Sequence, residues 1–340
     1  MKLDFRHGRV EMCHGSGGRA MAQLIDELFA KLLTNDYLAQ GDDAAVLPAL
    51  PGRLVISTDS HVVSPLFFPG GDIGSLAVHG TVNDVAVMGA RPLYLAASFI
   101  LEEGFPLAEL KRIVESMARA AAAANVLIVT GDTKVVEKGK GDGVFITTTG
   151  FGVARDGVTL SGNRARPGDK ILLSGRIGEH GMAILSQREG LTFDAPIISD
   201  SAALGGLIEA MLDSRADLRA LRDPTRGGLA TTLNELARQS AVGMMLDESA
   251  IPVAPAVAAA CEFLGLDPCY IANEGKLVAL CGPQDADKLL DVMRQHPQGQ
   301  NAAIIGEVIE DSHAFVQMTT CMGGRRILDW LSGEQLPRIC

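Results

Sequence analysis

Apolar and polar positions along the chain alternate between two periods. Residues 17–33, "GGRAMAQLIDELFAKLL", place Met21, Leu24, Ile25, Leu28 and Leu32 on one helical face. "RLVIST" (53–58), between Gly52 and Asp59, has the β-branched character of a strand. "IGSLAVHGTVNDVAVM" (73–88) is apolar on nearly every side and stops at "GARP", which predicts a mostly buried helix. A strand over 92–101 follows. The amphipathic helix 106–125 then sets Leu107, Leu110, Ile113, Val114 and Met117 on one side. Strands at 126–131 and 144–154 complete the first half.

The second half repeats this grammar. It predicts strands at 169–175, in "GMMLDES", in "EGKLVALC" and in "AAIIGEVIE". Helices are predicted at 178–189, 200–212, 226–240 and 283–296. The polar, turn-rich stretch 156–168 separates the halves. Alternating strands and helices imply α/β or α+β in each half. No short repeat period is visible. The expected organisation is a flexible arm (1–16), two domains (17–156 and 157–330) and a mobile tail (331–340). A chain of 340 residues fits two cores better than one.

Composition narrows the function classes. With 47% apolar and 21% charged residues the chain is globular. Its net charge of −11 and aromatic content of 4% disfavour nucleic acid and anionic membranes as partners. The polar opening "MKLDFRHGRVEMCHG" has no signal-peptide pattern and no run of 18 apolar residues occurs, so a cytoplasmic location is expected. The six cysteines lack Cys-x-x-Cys spacing and are expected to be free thiols. Cys261, Cys269, Cys281 and Cys321 are expected to be buried, with Cys13 and Cys340 near exposed ends.

Neither a P-loop nor a G-x-G-x-x-G fingerprint is present. Instead, carboxylates sit at glycine-rich turns. Asp42 and Asp43 lie in "GDDAAV"; Asp59 follows one predicted strand; Asp132 and Lys134 follow another. Each of these, taken singly, is most simply a turn or cap residue. Asp84, beside Asn83 in an apolar helix, is costly unless paired or bound to a cation. Together they allow a Mg²⁺-nucleotide site built without a P-loop. "HGSGGRAM" (14–21) opens a helix and is either an anion-binding loop or a flexible joint. In "DPTRGGL" (223–229), Asp223 either caps the next helix or binds metal, and Arg226 either holds phosphate or pairs with an acid. Glu274 and Lys276 in "ANEGKL" have a solvated charge pair as their default reading. The sequence closes on "LPRIC", which presents the thiol of Cys340 on a final residue; an inert frayed end is the ordinary explanation.

Taken together, "HGSGG", "GDDAAV", "STDSHVVSPLFFPGGDIG", "GTVNDVAVMGARP", "TGDTKVVEKG", "DPTRGG", "NEGKL" and "PRIC" resemble the HypE-type carbamoyl dehydratases of [NiFe]-hydrogenase maturation. That family lies within the aminoimidazole ribonucleotide synthetase-like ATP-binding superfamily. The resemblance implies an N-terminal α/β domain whose four-stranded sheet pairs with a second copy in a dimeric barrel, and a C-terminal α+β domain beside it. It implies ATP and Mg²⁺ in a cleft near the dimer interface. Cys340 would be loaded by the carbamoyltransferase HypF, and its thiocarbamate dehydrated to a thiocyanate. The cyanide would pass to iron on a HypC–HypD scaffold. Asp42, Asp59, Asp84 and Asp132 would hold Mg-ATP, with Asp43 and Asn83 near it and Asp223 and Arg226 on the phosphate side. Glu274 and Lys134 are the implied proton-transfer and charge-neutralising groups, either of which is the base. Two other readings compete: a related synthetase such as selenophosphate synthetase, which wants a reactive cysteine within the glycine loop where this chain has Ser16, and a non-catalytic carrier.

Overall fold

A computed structural model describes residues 2–193, 195–333 and 338–340. The first domain is built on strands β1 (Leu54–His61), β2 (Ala90–Glu102), β3 (Leu127–Val136) and β4 (Val144–Ala154). Their order in the sheet is β1-β4-β2-β3, with only the β2–β3 pair parallel. An N-terminal helix, α1 (Arg19–Leu24), runs on through a π-helical turn to Leu32. Helices α2 (Ile73–Val87) and α3 (Leu107–Ala123) cover one face of the sheet. The five predicted positions Leu107, Leu110, Ile113, Val114 and Met117 are all buried there.

Helix α2 starts where the sequence chemistry tells it to. The Asp72 carboxylate accepts from the N–H groups of Gly74 (2.8 Å) and Ser75 (3.2 Å), and the Ser75 hydroxyl accepts from Asp72 N–H. Its apolar character all round has a simple cause: it is shared between two cores. Leu76, Ala77 and Val82 pack in the first domain, while Ala86 and Val87 pack with Leu160, Leu172, Leu204 and Leu207 of the second.

The second domain carries strands β5 (Lys170–Leu173), β6 (Leu218–Arg222), β7 (Gly243–Asp247), β8 (Val278–Cys281), β9 (Ala303–Ile309), β10 (Val316–Thr319) and β11 (Arg325–Ile327). They form one sheet in the order β11-β10-β7-β9-β5-β8-β6. Around it lie α4 (Glu179–Glu189), α5 (Gly205–Asp213), α6 (Gly228–Ser240), α7 (Pro255–Leu264) and α8 (Ala286–Gln295). The two-domain α/β plus α+β architecture is therefore as expected.

Several details differ from the sequence reading. The arm is docked: Val10 is fully buried, and its N–H and C=O bond to Phe105 and Gly104. Strands β1 and β3 do not stop before Asp59 and Asp132 but run through both, because Thr147, Thr148 and Thr149 of β4 continue the ladder alongside β1 and β2 continues it alongside β3. Short strands β6, β10 and β11 and helix α7 lack strong periodic signals and were not anticipated. Cys321 is exposed, so three of the four cysteines expected in the interior are there. Of the tail, 334–337 lie outside the described residues, whereas Ile339 is buried in the first domain's core. On the other face of the four-stranded sheet Tyr37 packs on Tyr94, and among the described residues no helix spans that face, which leaves Leu54, Ile56, Ile100 and Leu127 exposed.

The close approach of α2 to β4 depends on glycine. A Cβ on Gly152 would stand 2.5 Å from Val85 Cγ1 and 2.6 Å from Arg91 O. Gly152→Ala should therefore destabilise the chain by about 1–3 kcal/mol through overpacking. Urea denaturation checks this; an unchanged midpoint would contradict the contact.

Candidate active site

Strand β1 and helix α2 bring the first two carboxylates together. Asp59 points from β1 towards α2, where Thr81 Oγ1 donates to Asp59 Oδ2 at 3.3 Å. Ser57 Oγ, two residues earlier on the same face, donates to Asp84 Oδ2 at 2.7 Å. Burial, and then repulsion from Asp59, raise Asp84 to about 6. Asp223 follows β6 and meets the same group. It does not cap α6, whose N-cap is Gly227. Desolvation, then Asp84 and Asp59, raise Asp223 to about 7.

Glu274 closes the cluster. Only 4% of it is exposed, and its backbone N–H, with that of Gly275, donates to Asp200. Burial first, then Asp223, Asp200 and Asp59, push its carboxyl well above the usual range. The solvated pair with Lys276 is not formed; Lys276 Nζ lies 3.1 Å from Asp200 and 3.6 Å from Glu179. Helix α2 passes directly beneath. A Cβ on Gly80 would come within 2.9 Å of His61 Nε2 and 4.0 Å of Glu274 Oε2. His61 is buried and held neutral, its pKa lowered to about 4 by desolvation, and its Nδ1 has no partner among the described residues.

The thiol of Cys340 stands beside Glu274, near enough for each to shift the other's proton affinity. Burial and then Glu274 raise the thiol's proton affinity, while the Arg226 guanidinium acts against them. Cys340, Ile339, Arg338 and Arg226 line a cavity of about 340 Å³ together with Ser60 and Ala272. So Cys340, Glu274, Asp59, Asp84, Asp223 and Arg226 meet at one place, contributed by both domains.

Other residues singled out from the sequence do not meet there within one chain. Asn83 is occupied structurally: its Nδ2 donates to Ala202 O (2.9 Å) and its Oδ1 accepts from Leu204 N–H (2.8 Å), strapping the domains together. Asp42 and Asp43 lie in an exposed loop. Asp132 and Lys134 pair with each other at 3.0 Å on exposed β3. The register runs Asp132–Ser98–Thr147–Ser60, so Asp132 sits at the far edge of the sheet. Three strand spacings separate it from β1, roughly 14 Å. The glycine loop also docks at that far edge, with Gly15 against Val135 of β3. Asp42, Asp59, Asp84 and Asp132 therefore do not form one cation site in the single chain, and no group of three or more His, Cys, Asp or Glu among the described residues is arranged as one.

Comparisons with known proteins identify the family. Residues 41–154 match the N-terminal domain, and residues 166–319 the C-terminal domain, of the AIR synthase related proteins. Carbamoyl dehydratase HypE of Azotobacter vinelandii is 69% identical over 339 residues, covering 100% of this chain and 99% of that one. A crystal structure of HypE in complex with ATP is 52% identical, with a TM-score of 0.94, over 97% of this chain and 99% of the other. A HypE–HypF complex is 50% identical, with a TM-score of 0.80, over 91% and 99%. The chain belongs to the HypE carbamoyl dehydratases. Local sequence reasoning reads Glu274 as an ordinary charge and does not single out His61 or Asp200, which the fold brings to the site. Asp84 in a mostly apolar helix is the one local signal of a buried acidic site.

The two raised aspartates fix a pH dependence. Both bind protons more tightly folded than unfolded, so the folded chain holds the extra protons between about pH 4 and 7. Their stabilising contribution is complete below pH 4 and is lost as pH rises through 6 and 7. In metal-free buffer, Asp84→Asn should melt like the parent at pH 4 and progressively higher than it towards pH 8. Parallel melting profiles across that range would refute the crowding.

Proposed function

We propose that this chain is an ATP-dependent carbamoyl dehydratase that converts S-carbamoyl-Cys340 to S-cyano-Cys340, the cyanide donor for the iron of [NiFe]-hydrogenase. The observation that carries this reading is the Cys340 thiol docked beside buried Glu274, on a cavity it shares with Arg226, inside a two-domain carboxylate cluster.

The chemistry explains the residues. The carbamoyl oxygen is a poor leaving group, so it is first transferred onto the γ-phosphoryl group of ATP, giving S–C(=NH)–O–PO₃ with loss of one proton from nitrogen. Loss of the second N–H proton and cleavage of the C–O bond give S–C≡N and phosphate. The net change is thiocarbamate plus ATP to thiocyanate, ADP and phosphate. Glu274, whose proton affinity is raised by burial and neighbouring acids, is the base for nitrogen. Arg226 faces the same cavity as the cation for charge developing on the phosphoryl oxygens. Asp59 and Asp84 would supply two oxygen ligands to a hard cation completed by the polyphosphate, and their mutual repulsion is what a divalent ion would relieve. Mg²⁺ held there supplies charge neutralisation to the polyphosphate.

The residues on β3 enter through a second copy. The sheet face that exposes Leu54, Ile56, Ile100 and Leu127 is the surface on which two chains pair as a homodimer. Face-to-face pairing offers Asp132, Lys134 and the glycine loop a route to the partner's Asp59–Glu274 cluster, and Asp42 and Asp43 join from their exposed loop. HypF, which a relative's complex contains, is the loading partner. HypC–HypD is the acceptor, and the reactions run in the cytoplasm. No described helix is long and apolar enough to cross a membrane.

The decisive test is mass spectrometry of the Cys340 peptide after incubation with HypF, carbamoyl phosphate and ATP. The parent should lose one water from the carbamoylated peptide. Glu274→Gln should keep the carbamoyl group and slow its dehydration by about 10²–10⁴-fold while still binding ATP; full-rate dehydration by that variant would remove Glu274 from its role. Cys340→Ala should bind ATP and carry nothing.

Completion across the dimer has its own check. Glu274→Gln and Lys134→Ala chains, each defective alone, should regain roughly a quarter of parental activity when mixed, because half the dimers are mixed and each holds one intact site. No gain on subunit exchange would place Lys134 in its own chain's site or outside catalysis.

A further inference from the structure

Arg338, Ile339 and Cys340 lie between the two domains and are gripped by both. Ser64 N–H donates to Arg338 O at 3.1 Å, and Arg188 Nη2 donates to the same oxygen at 2.9 Å. The Arg338 guanidinium pairs with Asp142. Ile339 is 4% exposed, packed in the core cluster that includes Ile184 and Ala272. Its carbonyl lies 2.8 Å from Nε2 of His180, a fully buried residue of α4.

The orientation of His180 is determined by its partners. A carbonyl only accepts, so Nε2 carries the proton. Nδ1 then accepts from the Ser199 hydroxyl at 2.8 Å, and Ser199 Oγ accepts from Ser201 N–H at 3.1 Å. Phe68 stands edge-on to the imidazole at 5.5 Å between ring centres. A relay of three hydrogen bonds thus aims one N–H at the backbone of the residue preceding the reactive cysteine.

We propose that His180 and the pocket for Ile339 form a register clamp that places the Cys340 sulfur at Glu274. This inference rests on the reading of Cys340 as the carrier. Two features make the clamp specific to register. The imidazole reads one particular carbonyl, and the pocket accepts one particular apolar side chain. A slip by one residue would bring Arg338 into the apolar pocket and take the sulfur away from Glu274. His180 touches neither cargo nor nucleotide; it is a positioning residue.

Docking and undocking give the test. Alkylation of Cys340 by iodoacetamide reports the undocked fraction, and single-turnover dehydration of a pre-carbamoylated chain reports the docked fraction. Their ratio, dehydration over alkylation, follows the docking equilibrium constant whether docking is strong or weak. Loss of one buried hydrogen bond in His180→Leu should lower that ratio about tenfold, with ATP affinity unchanged. His180→Gln, which keeps a donor near Nε2, should recover most of the loss. Ile339→Ala removes the apolar anchor without touching His180 and should lower the ratio by a similar factor.

The proposal is overturned if His180→Leu and Ile339→Ala both leave the ratio at the parental value, or if His180→Gln falls as far as His180→Leu. Failure of the underlying reading looks different. In that case no carbamoyl group accumulates on the tail peptide even in the parent, while the alkylation rates still report the clamp.

Discussion

Everything at this site follows from placing the Glu274 carboxyl, 4% exposed, against the Cys340 thiol and among three aspartates. A carboxylate in so dry a place is costly unless a proton, a hydrogen-bond donor or a cation compensates it. Each compensation is present or invited. Ser57 donates to Asp84, Thr81 donates to Asp59, Arg226 faces the cavity, and the Cys340 thiol stands beside Glu274. What remains is the cost of burial first and of mutual repulsion second, visible in Asp84 and Asp223 rising to about 6 and 7. A stable apolar cluster would serve folding better. Acids kept at this disadvantage are matched to a cationic, phosphate-bearing ligand and to proton removal.

The fold supports that disadvantage by tying the domains rigidly around it. Helix α2 belongs to both cores, and Asn83 bonds Ala202 and Leu204 from the second domain. Asp200, on the segment between α4 and α5, holds the backbone of Glu274 and the ammonium of Lys276 at once. Glu274, the proposed base, is thus fixed by its own main chain, leaving its side chain free. Gly80 lets α2 run close enough for His61 and Glu274 to share the space above it.

The sequence made the scaffold legible and the site only partly so. Long periodic elements such as 73–88 and 106–125 stand out because apolar faces repeat with the helical period. Strands β10 and β11 are four and three residues long, too short for a period to register, and are recruited by pairing with neighbours already in place. Asp84 was visible because a carboxylate in an apolar helix violates local chemistry. Glu274 violates nothing locally; it becomes unusual only when Asp59, Asp223 and Cys340 arrive from sequence positions tens to hundreds of residues away. For Asn83, and for Asp132 and Lys134, the motif identified the neighbourhood but not the contact, since side-chain direction and strand order decide which edge of the sheet each one serves.

The same long-range assembly explains why the thiol should be held weakly. Full burial of an isoleucine side chain contributes on the order of 1.5–3 kcal/mol, and each net hydrogen bond on the order of 1 kcal/mol. Ordering a few tail residues costs about 1–2 kcal/mol apiece in backbone freedom alone. Favourable and unfavourable terms are therefore of similar size for Arg338, Ile339 and Cys340. A tail anchored much more strongly could not present its sulfur to a separate loading enzyme. One without the Ile339 and His180 contacts would rarely bring the carbamoyl group to Glu274. Near-balance between these terms is the physical requirement for a thiol that is charged in one place and processed in another.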